Sequence, residues 1–137
     1  MPRVLVVEDE PVILRLLEET LAGDGADVAT VSDADSALLA LGEEHFDVVL
    51  VDLLLPGQPG WRVLEQLRSR RDSAPVVVVS ARATPTNLTR AFDLGAVDVF
   101  GKPFDPLALS KCVNEIAGLT ADGLDAYRQA ARVRRNA

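Results

Sequence analysis

Cysteine occurs once in these 137 residues, at Cys112. A single thiol excludes an internal disulfide and fits a reducing compartment. A small filler on a helix is the plainer reading of it than a reactive nucleophile. Aromatic residues make up only 4% of the chain, so a core must be assembled from Val, Leu and Ala. No apolar run approaches the ~18 residues that a membrane helix requires. Met1-Pro2-Arg3 leads straight into a strand-like run, which leaves no room for a signal peptide, and the expected location is the cytoplasm. Positive charge is also short: 14 Lys and Arg face 21 Asp and Glu, for a net −7. The shortage is uneven. Residues 119–137 carry Asp122 and Asp125 against Arg128, Arg132, Arg134 and Arg135, which leaves −9 on the remainder. An acidic body repels nucleic acid, and the four arginines read as a solvated helix face rather than a DNA-binding element.

What is present is alternation. Short Val/Leu runs and amphipathic segments follow one another five times, the pattern of βα units around a parallel sheet. Val48–Val51 and Val76–Val79 are apolar throughout, as strands covered on both faces are. The pattern predicts strands at Val4–Val7, Asp27–Val31, Val48–Val51, Val76–Val79 and Val97–Phe100. It predicts helices at Pro11–Leu21, Asp33–Leu41, Trp61–Leu67, Thr86–Leu94 and Pro106–Ile116. Ser32 with Asp35 resembles a capping box, and Asp105-Pro106 offers an N-cap followed by proline in the first turn. Helices are expected to end before Gly23-Asp24-Gly25 and at Gly95, where a left-handed residue can close the last turn. We expect one domain over residues 1–118, and a helical tail or linker over 119–137, where Leu124, Tyr127 and Ala131 recur at helical spacing.

Charged residues cluster at the ends of these runs. Glu8 and Asp9 follow the first strand, Asp52 ends the third, and Lys102 follows the fifth. In an open α/β sheet the carboxyl ends of neighbouring strands share one crevice, and ligands bind there. Three carboxylates gathered in a crevice repel one another until a proton or a cation intervenes. An all-oxygen set beside a lysine suits Mg²⁺ and a phosphoryl group, and Asp52 is the candidate to take the phosphate. Taken singly, each residue has a plainer reading: Asp52 as a turn former, Glu8 and Asp9 as a solvated pair, Lys102 as a surface cation. His45 and Trp61 read as a loop residue and a packing residue.

Val-Leu-Val-Val-Glu8-Asp9-Glu10, Val-Asp52-Leu-Leu-Leu-Pro56-Gly57, Val-Ser80-Ala81-Arg82 and Gly95-Ala96 through Lys102-Pro103-Phe104 occur in order, each at a strand end. Together they resemble the receiver domains of bacterial two-component response regulators, from about Arg3 to Gly118. The resemblance implies a flavodoxin-like, doubly wound sheet in the order 2-1-3-4-5 with helices on both faces. It implies Asp52 as phosphoacceptor from a sensor histidine kinase or phosphotransfer protein. It also implies Glu8, Asp9, Asp52 and the backbone carbonyl of Leu54 as the Mg²⁺ shell. Ser80 is implied as the hydroxyl that meets the phosphoryl group, and Lys102, before a cis-proline, as its cationic partner. Such a protein is a signalling phosphoacceptor that catalyses its own phosphoryl transfer and loss, not a conventional enzyme. Its output passes to a protein target or a fused domain.

Two features depart from the family. Val99 stands where a Tyr or Phe is usual, and alternation puts Phe100 on the opposite face, which implies weakened coupling between the phosphate and the distant surface. Leu88, Val97 and Cys112 stand where winged-helix regulators carry charged dimer contacts, which predicts an apolar face open to a different partner. A fragment of a larger regulator is one alternative. A second is a haloacid-dehalogenase-type phosphatase, which wants an acid where Leu54 stands. A third is a flavodoxin, whose phosphate loop Glu8-Asp9-Glu10-Pro11 would repel its ligand.

Overall fold

Valine runs become parallel strands here because helices cover them from both sides. The computed structural model describes residues 1–55, 59–70 and 74–136. Pro56 and Gly57, part of one motif above, lie outside the described residues. The strands are β1 (Arg3–Val7), β2 (Asp27–Val31), β3 (Val48–Asp52), β4 (Val76–Ser80) and β5 (Asp98–Gly101). Between and after them run α1 (Pro11–Gly23), α2 (Ala34–Glu43), α3 (Trp61–Arg68), α4 (Pro85–Asp93), α5 (Pro106–Ala117) and α6 (Ala121–Arg135). The sheet order is β2-β1-β3-β4-β5 and every pairing is parallel, as expected. Because β1 lies between β2 and β3, the chain reverses its winding there, and the crevice opens at the carboxyl ends of β1 and β3.

Two cores flank the sheet. On one side Leu5, Val49, Val51, Val78 and Val99 pack against Ala34 and Ala37 of α2, Val63, Leu64 and Leu67 of α3, and Leu88, Ala91 and Phe92 of α4. On the other, Val4, Val6, Leu50, Val77, Val79 and Phe100 meet Leu17 and Leu21 of α1 and Leu109, Val113 and Ile116 of α5. Val99 and Phe100 therefore face opposite ways, as the alternation requires.

Helix starts follow local chemistry. Asp105 accepts from the Leu107 N–H and Thr84 from the Asn87 N–H, each before a proline that opens its helix. The cap of α2 is Asp33 rather than Ser32: its Oδ1 accepts the Ser36 N–H at 2.7 Å. Two adjacent residue types that both cap well left the register open by one. Gly25 and Gly95 have φ of 96° and 98°, the left-handed turns the pattern predicts.

The C-terminal segment is not a solvated arginine helix. α6 lies along β5 and the end of α4, so it covers the edge strand on that side of the sheet. Arg128 donates to the Phe92 carbonyl, Arg132 pairs with Asp93 at 2.8 Å, and Arg135 pairs with Asp98 at 3.0 Å. The open apolar face is likewise corrected: Leu88, Val97 and Cys112 are buried. The arginines found acids and a carbonyl that are distant in sequence, which composition does not disclose.

Candidate functional site

The end of β3 carries Asp52, and the end of β1 carries Glu8 and Asp9 one strand away. The carboxylates of Glu8, Asp9 and Asp52 each offer an oxygen within 4.8 Å of the others. Asp52 and Glu8 are buried and Asp9 is exposed. Lys102, just past β5, reaches back between them. Its Nζ donates to Asp52 Oδ2 at 2.8 Å and to Glu8 Oε2 at 3.2 Å. The Lys102–Pro103 bond is cis, and the Lys102 N–H donates to the Ser80 carbonyl at 2.8 Å, which ties the lysine's backbone to the end of β4.

Backbone donors fix the remaining acceptors. The Leu54 N–H donates to Asp52 Oδ1 at 2.9 Å, and the Glu10 N–H donates to Glu8 Oε1 at 3.2 Å. Ser80 Oγ accepts the Arg82 N–H at 3.0 Å, so its hydroxyl proton is left to turn toward the crevice. Leu54 has an exposed side chain and, with Asp9, Glu10, Ile13, Ala81 and Pro103, lines a crevice of ≈ 550 Å³ above Asp52 and Lys102.

Electrostatics follow from this crowding. Burial raises Glu8 to about 7, and the Asp52 charge adds to the rise against the pull of the Glu10 N–H and Lys102. Burial pulls the Lys102 ammonium down, but its hydrogen bond to Asp52 and the charges of Asp52 and Glu8 outweigh it, and the net direction is up. The site holds one fixed cation against three acids, so a carboxylate stays frustrated. Hard oxygens in excess of positive charge are a fitting donor set for Mg²⁺.

Gly60 carries no charge, and its sequence neighbours mark only its place before Trp61. Its N–H donates to the Leu53 carbonyl at 3.0 Å. A Cβ there would fall 2.9 Å from Leu53 Cα and closer still to the Asp52 carbonyl oxygen. Only glycine lets the start of α3 approach the end of β3 so closely. Trp61 packs into the core beneath Arg90, whose guanidinium lies 4.2 Å from the ring centre. Among the described residues lining the crevice, Trp61 is not present. Val99 also lies away from the crevice, in the core that includes Ala131 of α6.

Comparisons with known proteins agree with this geometry. TcrA, a transcriptional regulatory protein of Mycobacterium tuberculosis (strain ATCC 25618 / H37Rv), is 40% identical over 103 residues, 75% of this chain and 41% of that protein. KdpE, a transcriptional regulatory protein of M. tuberculosis (strain CDC 1551 / Oshkosh), is 45% identical over 104 residues, 76% of this chain and 46% of that protein. The chain thus spans under half the length of these relatives. Among solved structures, the receiver domain of the Francisella response regulator 1452 superposes with a TM-score of 0.82 at 27% identity, covering 85% of this chain and 97% of that one. Residues 4–114 match the family described as the response regulator receiver domain. The chain belongs to that family.

Proposed function

We propose that the protein is the phosphoacceptor of a two-component or phosphorelay pathway, with Asp52 taking a phosphoryl group from the phosphohistidine of a kinase or phosphotransfer protein. The observation that carries this is Lys102 Nζ set between Asp52 and Glu8 at the base of an open crevice. An oxygen of Asp52 attacks phosphorus, the P–N bond breaks as the P–O bond forms, and the imidazole leaves and takes up a proton. Phosphoryl transfer depends mostly on positioning and charge. The Leu54 N–H orients Asp52, Lys102 meets the charge that develops on a phosphoryl oxygen, and Ser80 donates its hydroxyl to another. Glu8, Asp9, Asp52 and the Leu54 carbonyl would hold Mg²⁺, which would neutralise the repulsion between the carboxylate and the incoming phosphoryl oxygens. Water hydrolyses the acyl phosphate in the same crevice, so the chain resets its own signal.

The phosphodonor's docking surface adjoins the crevice. Val12 and Leu16, one turn apart on α1, are exposed, as is Leu107 at the start of α5, which packs against α1. We place a helical partner there, and a downstream protein or fused domain as the recipient of the signal. The structure favours neither alternative chemistry: Leu54 stands where a dehalogenase-type phosphatase needs its acid, and Glu8 and Asp9 occupy the flavodoxin phosphate position. Incubation with acetyl phosphate and Mg²⁺ should add the mass of one phosphoryl group, and Asp52→Asn should abolish the gain while circular dichroism stays unchanged. Full labelling of the folded variant contradicts the assignment.

A further inference from the structure

Asp98, the first residue of β5, is fully buried and lies outside the crevice. Most of its contacts come from α6. Tyr127 Oη donates to Asp98 Oδ2 at 2.9 Å, Arg135 Nε to Oδ1 at 3.0 Å and Arg134 Nη2 to Oδ2 at 3.5 Å, with Cys112 Sγ of α5 alongside at 3.7 Å. Arg135 also lies over the Phe100 ring, 4.4 Å from its centre. Earlier in α6, Arg128 and Arg132 hold the Phe92 carbonyl and Asp93 at the end of α4.

Polar contacts make up much of this attachment, beside the packing of Leu124, Tyr127 and Ala131 on the two cores. Ala131 is the one fully buried residue of α6, and the Arg134 and Arg135 side chains remain 56% and 30% exposed. Asp98 is fully buried, so its charge depends on these partners, whereas the more exposed Arg132–Asp93 pair contributes little. Arg128 Nε is buried with no hydrogen-bond partner among the described residues, so the α4–α6 contact is imperfectly satisfied. A groove of ≈ 480 Å³ lined by Phe100, Lys111, Glu115, Tyr127 and Arg134 separates α5 from α6. The hold on Asp98 of β5 is thus the stronger anchorage of α6, and the hold on the end of α4 the weaker.

Both anchorages lead to the crevice. Lys102 follows β5 directly, its Nζ on Asp52 and its N–H on the Ser80 carbonyl. Ser80 ends β4, and α4 begins five residues later. A group placed on Asp52 that engages Lys102 and Ser80 acts on the end of β5 and on the segment that leads into α4, the two elements to which α6 is pinned. We propose that α6 is a displaceable latch: its arginines hold the α4–β5–α5 face closed while Asp52 is unmodified and release it when Asp52 is phosphorylated. The inference rests on the reading of Asp52 as phosphoacceptor.

Hydrogen exchange of the full chain, followed by mass spectrometry with and without BeF₃⁻ and Mg²⁺, tests it. Loading shows as slowed exchange in the segment after Asp52. In the loaded protein the amides of Leu124–Arg135 should exchange at least about fivefold faster, the low end of ordinary coupling between two sites. Slowed exchange near Asp52 with α6 unchanged overturns the latch and leaves the acceptor reading intact. No loading at all overturns both. Coupling is reciprocal, so Arg135→Gln, which loosens α6 without touching the crevice, should bind BeF₃⁻ and Mg²⁺ more tightly. Equal affinity in parent and variant also overturns the latch.

Discussion

Glu8 shows how a single carboxyl group can report on a site. Its folded value of about 7 lies above the ordinary 4.5, mainly through burial and then through Asp52. A carboxyl raised in the folded state holds an extra proton there, so without metal the stability it contributes is present at low pH and declines as pH rises toward about 7. Mg²⁺ must displace that proton. The rise in melting temperature caused by Mg²⁺ should therefore grow from about pH 5 to about pH 7 and level off above. A Mg²⁺ effect of constant size across that window contradicts Glu8 as the titrating ligand. Gly60 acts through space rather than charge. Gly60→Ala forces its methyl group into the β3 backbone, which should cost about 1–3 kcal/mol in urea unfolding and slow phosphorylation by tilting Asp52. A variant as stable and as fast as the parent would refute the close approach. The acids and the lysine were legible because each ends an apolar run. Gly60 was not, because the contact that requires glycine exists only once α3 has packed on β3.

At the scale of elements, strand and helix placement were readable from periodicity, with strand limits moving by no more than a residue, while the strand order came from the family resemblance. Asp98 is the instructive exception. Its neighbours mark it as strand, and nothing local says that a buried acid there meets two arginines from a helix some 36 and 37 residues later. Helical spacing of Leu124, Tyr127 and Ala131 predicts a helix within 119–137 and its apolar face, but not what that face covers. Val99 now has a physical explanation. It is buried at 3% exposure in the core to which Ala131 of α6 also belongs, so a ring at this position would overfill a packed interior. Val99→Tyr should lower stability by about 1–3 kcal/mol, as overpacking does, and speed exchange of the α6 amides. A stable variant with α6 still protected would show that room for the ring exists.

At the scale of the molecule, charge is divided between an acidic body and an arginine-bearing helix that folds back on it. The acidic crevice lies at one end of β5 and the arginine grip at the other, so one four-residue strand links the site of chemistry to the covered edge. Among the described residues no helix is long and apolar enough to cross a membrane. Every functional role assigned here depends on Asp52 forming an acyl phosphate. Such a bond is reduced by borohydride, which converts the phosphorylated aspartate to homoserine and leaves free carboxylates untouched. Treatment with acetyl phosphate and Mg²⁺, then borohydride, then peptide mass spectrometry should place homoserine at position 52 and nowhere else. Homoserine at another acid, or none in a chain that has gained phosphate, would contradict the account.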